Sequence, residues 1–154
     1  MNTEIVDAVS HPMLHVTRVV SMEPAQIAAV MGEAFAAIGE FLARTGVAPA
    51  GAPLAIYRDW DGETMRVDAG FPVSAADAAR AEGEVRSAAS PGGRALRAVH
   101  LGSYANLRRT YEAMEAHIRE HGLKTGEIAW EVYLNDPATT PEDRLETEVY
   151  MPLA

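Results

Sequence analysis

The chain repeats itself, and that repeat constrains its fold more than any other property. Laying Val6 on Val85, Pro12 on Pro91, Arg18 on Arg97 and Val20 on Val99 uses one constant offset of 79 residues. Gly46 on Gly122 and Tyr57 on Tyr133 share an offset of 76, and the triplet from Phe71 falls on the triplet from Met151 at 80. A turn proline, a helix-ending glycine and a terminal proline thus recur in the same order, and repeated punctuation of this kind marks one structural unit used twice. The halves run over residues 5–73 and 84–153 of a 154-residue chain. A chain of this length suits one domain that buries about 70% of its unfolded surface. The link from Ser74 to Gly83 is too short for a flexible tether, so the halves are expected to share a core.

Each half reads as strand, proline turn, strand, helix, strand, strand. The first helix is predicted from Pro24 to Arg44, with proline at its favoured first position and Gly46 just past its end. Ile27, Met31, Phe35, Ile38 and Leu42 recur at spacings of three and four and form one buried stripe. The second helix is predicted from Ser103, an N-cap residue, to His121 before Gly122, with Leu107, Tyr111, Met114 and Ile118 as its stripe. An alternating segment follows each helix, Leu54 to Trp60 and Ile128 to Leu134, and then its hairpin partner, Met65 to Val73 and Leu145 to Met151. The expected class is α+β: a tandem pseudo-symmetric repeat of strand-helix-strand-strand units, antiparallel sheets with two helices on one side, and a ligand cleft between the halves.

Composition narrows the partners. Twenty-two acidic against thirteen basic residues leave a formal charge of −9, with Lys124 and twelve scattered arginines as the only cations. Nucleic-acid affinity draws on clustered Lys and Arg, so a nucleic-acid partner is not expected. The chain has no cysteine, which removes disulfides, thiolate zinc sites and cysteine nucleophiles together. The start, MNTEIVDAVSHP, has neither a basic nor an apolar leader region, and no stretch is expected to approach the roughly 18 apolar residues a membrane span needs. A soluble cytoplasmic protein with no membrane partner and no cofactor is the expectation.

The strand pair carries the main clue to function. In IAWEVYL, Ile128, Trp130, Val132 and Leu134 point one way, and Ala129, Glu131 and Tyr133 the other. By the repeat, Tyr57 and Tyr133 are pseudo-symmetric, and both are expected on the face away from the helices. A carboxylate beside two tyrosines suits an apolar cation, since the rings supply contact area and cation–π attraction and the carboxylate supplies counter-charge. On pattern alone, though, a Glu between apolar neighbours on a half-buried strand faces water. Phe71 joins the candidate lining, and Trp60, at a strand end before Asp61-Gly62, reads equally as a cleft rim or a hairpin anchor. His100 lies at a strand end within reach of the cleft, although a hydrogen-bonded structural histidine is the commoner reading. Met22, Met31 and Met65 would soften a promiscuous pocket.

Other constellations are weaker. His117-Ile-Arg-Glu120-His121 spells H-x-x-E-H, but a zinc site needs a third ligand on another helix and only strand-like sequence follows, so no metal is expected. Ser103 lacks the setting of a nucleophilic serine, and the glycine-rich SPGGR from Ser90 precedes a strand rather than a phosphate-cradling helix.

The run HLGSY from His100, the helix with Leu107, Tyr111 and Met114, WEVY at Trp130 to Tyr133, Asp136-Pro137 and the ending TEVYMPL together resemble the GyrI-like small-molecule-binding domain. This gyrase-inhibitor-like family also supplies the effector-binding half of AraC-type and MerR-type multidrug regulators. The resemblance implies a tandem fold with a cleft and puts Glu131 in that cleft facing the ligand, with Tyr104, Tyr133 and Tyr57 as aromatic lining. Regulators of the family carry a helix-turn-helix domain ahead of the sensor; here the first strand starts near Met1, so a stand-alone member is expected. Three functions follow. The first is a binder of small hydrophobic, aromatic or cationic molecules. The second is a hydrolase of cyclopropane-containing electrophiles, with Glu131 as general base and Tyr133 or Tyr104 donating to the developing oxyanion. The third is a module that touches a protein partner, as gyrase inhibitors do. The sequence leaves the oligomeric state open.

Overall fold

The computed structural model describes residues 2–154. Its elements are β1 (Thr3–Ala8), β2 (Pro12–Ser21), α1 (Pro24–Thr45), β3 (Leu54–Arg58), β4 (Thr64–Pro72), α2 (Ala75–Ala78), β5 (Arg86–Ala89), β6 (Gly93–Leu101), α3 (Leu107–Glu120), β7 (Ile128–Tyr133) and β8 (Glu146–Pro152). The chain is α+β, with a strand-strand-helix-strand-strand order used twice. α1 opens on Pro24 and closes on Gly46, whose φ of 75° lets its N–H bond the Leu42 carbonyl at 2.9 Å. Gly122, its counterpart after α3, has φ 62°. α3 starts later than the sequence pattern suggests because a 3-10 turn, Tyr104–Asn106, precedes it; the Ser103 hydroxyl caps that turn by accepting from the Ala105 N–H at 3.2 Å.

The described chain forms two compact units. The first, Ser10–Pro91, is a four-stranded antiparallel sheet in the order β3-β4-β2-β5 with α1 on one face. Leu14 and Val16 of β2, Ala69 of β4, and Ala34, Ile38, Phe41 and Leu42 of α1 fill its core. The link after Val73 belongs to this unit: Ser74 caps α2, and Val85 is buried in the same core. The second unit combines the chain up to Val9 with Gly92–Ala154, in the order β1-β6-β8-β7 with α3 on one face. Leu96 and Ala98 of β6, Val149 and Met151 of β8, and Met114 of α3 form its core.

Two features differ from the sequence expectation. First, each half does not keep its own opening strand. β1 pairs with β6, and β5 pairs with β2, so the first strand of each repeat completes the sheet of the other. Second, the strands that follow the proline turns, β2 and β6, correspond at a different offset. Leu14 faces Phe71 and Leu96 faces Met151, so with Phe71 and Met151 80 apart, Leu14 corresponds to Leu96 at an offset of 82 rather than 79. An odd slip of three moves every side chain to the opposite face of the sheet, which is why matching valines and arginines by identity alone misaligned this strand.

Contrary to the sequence expectation, α1 is long and apolar enough to cross a membrane by length and composition. Its buried stripe nonetheless packs on the sheet, and Glu33 on its outer face pairs with Arg18 of β2 at 2.6 Å. It is the core helix of the first unit.

Candidate functional site

The second unit builds a carboxylate site from β7 and α3. Glu131 is paired across from Val149 of β8, and Val149 lies in the core beneath α3, so Glu131 shares the helix-bearing face. That side chain is buried, at 4% exposure, which a carboxylate tolerates only with good partners. Tyr111 of α3 donates its hydroxyl to Oε2 at 2.5 Å, and Tyr133, two residues along β7, donates to Oε1 at 2.7 Å. Both lengths fall in the range of charge-assisted O–H···O⁻ bonds. Tyr104, in the turn before α3, meets the Tyr133 ring edge to face with centroids 5.6 Å apart. Burial, then the nearby Glu131 and Asp136 carboxylates, push the Tyr104 phenol above its ordinary value. The result is a buried carboxylate bracketed by three phenol rings.

Glu131 and Tyr133 therefore do not face away from the helices, as the alternation suggested, and neither does Tyr57. Tyr57 of β3 is paired across from Val67 on the face that carries α1, and its hydroxyl lies 4.0 Å from Met31 Sδ. Both faces of these strands are buried: Trp130 is 3% exposed and stacks at 5.0 Å on Tyr150 on the side opposite Glu131. With two buried faces, a strand's apolar side no longer marks where the helix sits.

The remaining candidates fall in different places. Phe71 of β4 packs edge-on against Phe35 of α1 with centroids 6.3 Å apart, at the margin of the first unit's core. Trp60 stands in the β3–β4 turn, 44% exposed, next to Asp59, whose φ is 55°. His100 is buried with both ring nitrogens engaged, Nδ1 with Thr110 Oγ1 at 2.7 Å and Nε2 with the Ser103 carbonyl at 2.9 Å. The carbonyl can only accept, so Nε2 carries a proton there. His100 thus ties β6 to the start of α3. His117 and His121 stack 4.0 Å apart, and among the described residues no group of three or more His, Asp or Glu gathers as a metal site.

Tyr111 was not singled out by the sequence reading, which counted it as a core position at helical spacing. The signal was there: with the 76-residue offset it falls on Phe35, and a tyrosine replacing a half-buried phenylalanine must find a partner for its hydroxyl. By the same offset Glu131 falls on Ala55, so one repeat carries Tyr and Glu where the other carries Phe and Ala.

Known proteins share this fold. The fold is shared with the C-terminal domain of EcmrR, at a TM-score of 0.80 and 16% identity over 99% of this chain and 97% of that one. SAV2435, in a structure bound to tetraphenylphosphonium, aligns with a TM-score of 0.71 and 12% identity over 100% of this chain and 94% of that one. A hydrolase from Listeria innocua aligns at 0.61 and 16%, over 99% and 91%. At these identities the likenesses establish the fold alone. No curated protein matches the sequence. The family model of the GyrI-like small-molecule-binding domain matches residues 1–154, and the chain belongs to that family.

Proposed function

We propose that this small-molecule-binding domain takes hydrophobic, aromatic cations and that Glu131 is their counter-charge. The observation that carries the reading is the buried Glu131 carboxylate held by the Tyr111 and Tyr133 hydroxyls beside the Tyr104 ring. A buried carboxylate is costly to maintain for stability alone, whereas it gives a desolvated cation a strong partner. The surrounding ring faces add cation–π attraction of about 0.5–2 kcal/mol. The tetraphenylphosphonium bound by SAV2435 is a cation of this class, and that relative shares the fold.

Donors on both carboxylate oxygens suit a standing counter-charge better than a general base, whose lone pair must face the proton it removes. The test is a thermal-shift screen of wild type and Glu131→Gln against hydrophobic cations and electrophilic aromatics. The expected result is stabilisation of the wild type by cations, with affinity weakened about ten- to a hundredfold in the variant. Consumption of an electrophile that stops in Glu131→Gln would instead favour hydrolysis, and ligand shifts identical in the two proteins would remove Glu131 from the site.

A further inference from the structure

Thr147 of β8 is fully buried, at 0% exposure, and its hydroxyl has no hydrogen-bond partner. Buried hydroxyls almost always find one, and an orphan calls for a reason. Its position supplies one. Thr147 is paired across from Tyr133 on one side and from His100 on the other, so the three side chains form a row across β7, β8 and β6 on the face beneath α3. Directly opposed residues bring their Cβ atoms to about 4.5–5.5 Å, and the diagonal neighbour Glu131 stands about 7–8 Å away. Within this row His100 is already committed to Thr110 and Ser103, while the Thr147 hydroxyl keeps both a donor and an acceptor unused. The Tyr133 ring is half-buried and meets the half-buried Tyr104 ring edge to face. The hydroxyl is fully buried, so a ligand can reach it only if side chains of this row move.

We propose that Thr147 is a second polar contact of the Glu131 site and selects ligands that carry a hydrogen-bonding group on the ring beside their positive charge. This rests on the reading of Glu131 as counter-charge. The ligand class is a cationic aromatic with a hydroxyl or amine substituent. The orphaned hydroxyl is the stability sacrificed for that selectivity, since a polar group kept unpaired for a ligand is a burden on the free protein.

The test uses calorimetric titration of two probes that differ by one hydroxyl, phenyltrimethylammonium and 3-hydroxyphenyltrimethylammonium, against wild type, Thr147→Val, Thr147→Ser and Glu131→Gln. Valine matches threonine in shape without its hydroxyl. The wild type should prefer the hydroxylated probe by about three- to tenfold, the worth of one hydrogen bond. Thr147→Val should erase that preference and raise the Tm of the free protein by about 2–4 °C. Thr147→Ser should retain the preference. A wild type without preference, or a preference that survives in Thr147→Val, overturns the proposal. So does a lowered Tm in Thr147→Val, because the hydroxyl would then be satisfied within the free protein. If Glu131→Gln weakens both probes while Thr147→Val changes neither, only this inference falls; if Glu131→Gln changes nothing, the counter-charge reading falls with it.

Discussion

Replacing Tyr111 with Phe removes one oxygen and tests whether the helix holds the buried carboxylate. The phenol donates to Glu131 Oε2 at 2.5 Å from α3, and Tyr133 donates to Oε1 at 2.7 Å from β7. A hydrogen bond to a charged group contributes about 1.5–3 kcal/mol, and the carboxylate left behind is 4% exposed, so little water can replace the lost donor. Tyr111→Phe should therefore cost the free protein about 1.5–3 kcal/mol. At about 2–4 °C per kcal/mol for a domain of this size, the melting temperature should drop by roughly 3–12 °C. Urea unfolding followed by circular dichroism, read at unchanged slope, gives the free energy directly. In the Glu131→Gln background the same substitution should cost clearly less, because the charge that strengthened the bond is gone. A single-variant cost below about 0.5 kcal/mol, or an equal cost in both backgrounds, would refute the coupling of α3 to Glu131.

Two further outcomes follow from the first unit. Burial pushes the His15 imidazole below its ordinary value, with Asp68 opposing and Arg58 and Arg86 reinforcing the shift. The unfolded chain then binds more protons than the folded one below the ordinary value of 6.5, so stability should fall as pH drops through that range. Urea melts at pH 7.5 and 5.5 should show a smaller acid loss in His15→Gln than in wild type, and equal losses would exclude His15 as the source. Gly70 of β4 leaves no room for a side chain, since a Cβ would come within 2.1 Å of the Leu14 carbonyl oxygen and 2.9 Å of His15 Cα. Both are backbone atoms, so Gly70→Ala should destabilise by about 1–3 kcal/mol, and a neutral effect on the melting temperature would show that β2 and β4 can separate there.

What the sequence made legible was set by local physics. The span of α1 came from Pro24, Gly46 and the spacing of its apolar stripe, all encoded within a few residues of where they act. The alternation of β7 likewise put Glu131 with Tyr133 and opposite Trp130, which the register to β8 bears out. Which side of the strand faces α3 was not legible, because Trp130 and Glu131 are both buried and polarity no longer separates inside from outside. The exchange of β1 and β5 was hidden for a different reason. A strand's sequence specifies its faces but not its neighbour, so TEIVDA fits β6 or β2 on pattern alone. Tyr111 was hidden by its type: within a helical stripe a tyrosine reads as a hydrophobe until an acceptor is found for its hydroxyl.

The central claim is that a buried glutamate selects positive charge. Tetraphenylphosphonium and tetraphenylborate share one shape and carry opposite charges, so titrating both into wild type and Glu131→Gln isolates that contribution. The wild type should bind the phosphonium and discriminate strongly against the borate, and Glu131→Gln should lose about ten- to a hundredfold in phosphonium affinity while the gap between the two ions narrows. Equal binding of the two ions by the wild type, or an undiminished preference in Glu131→Gln, would contradict the account.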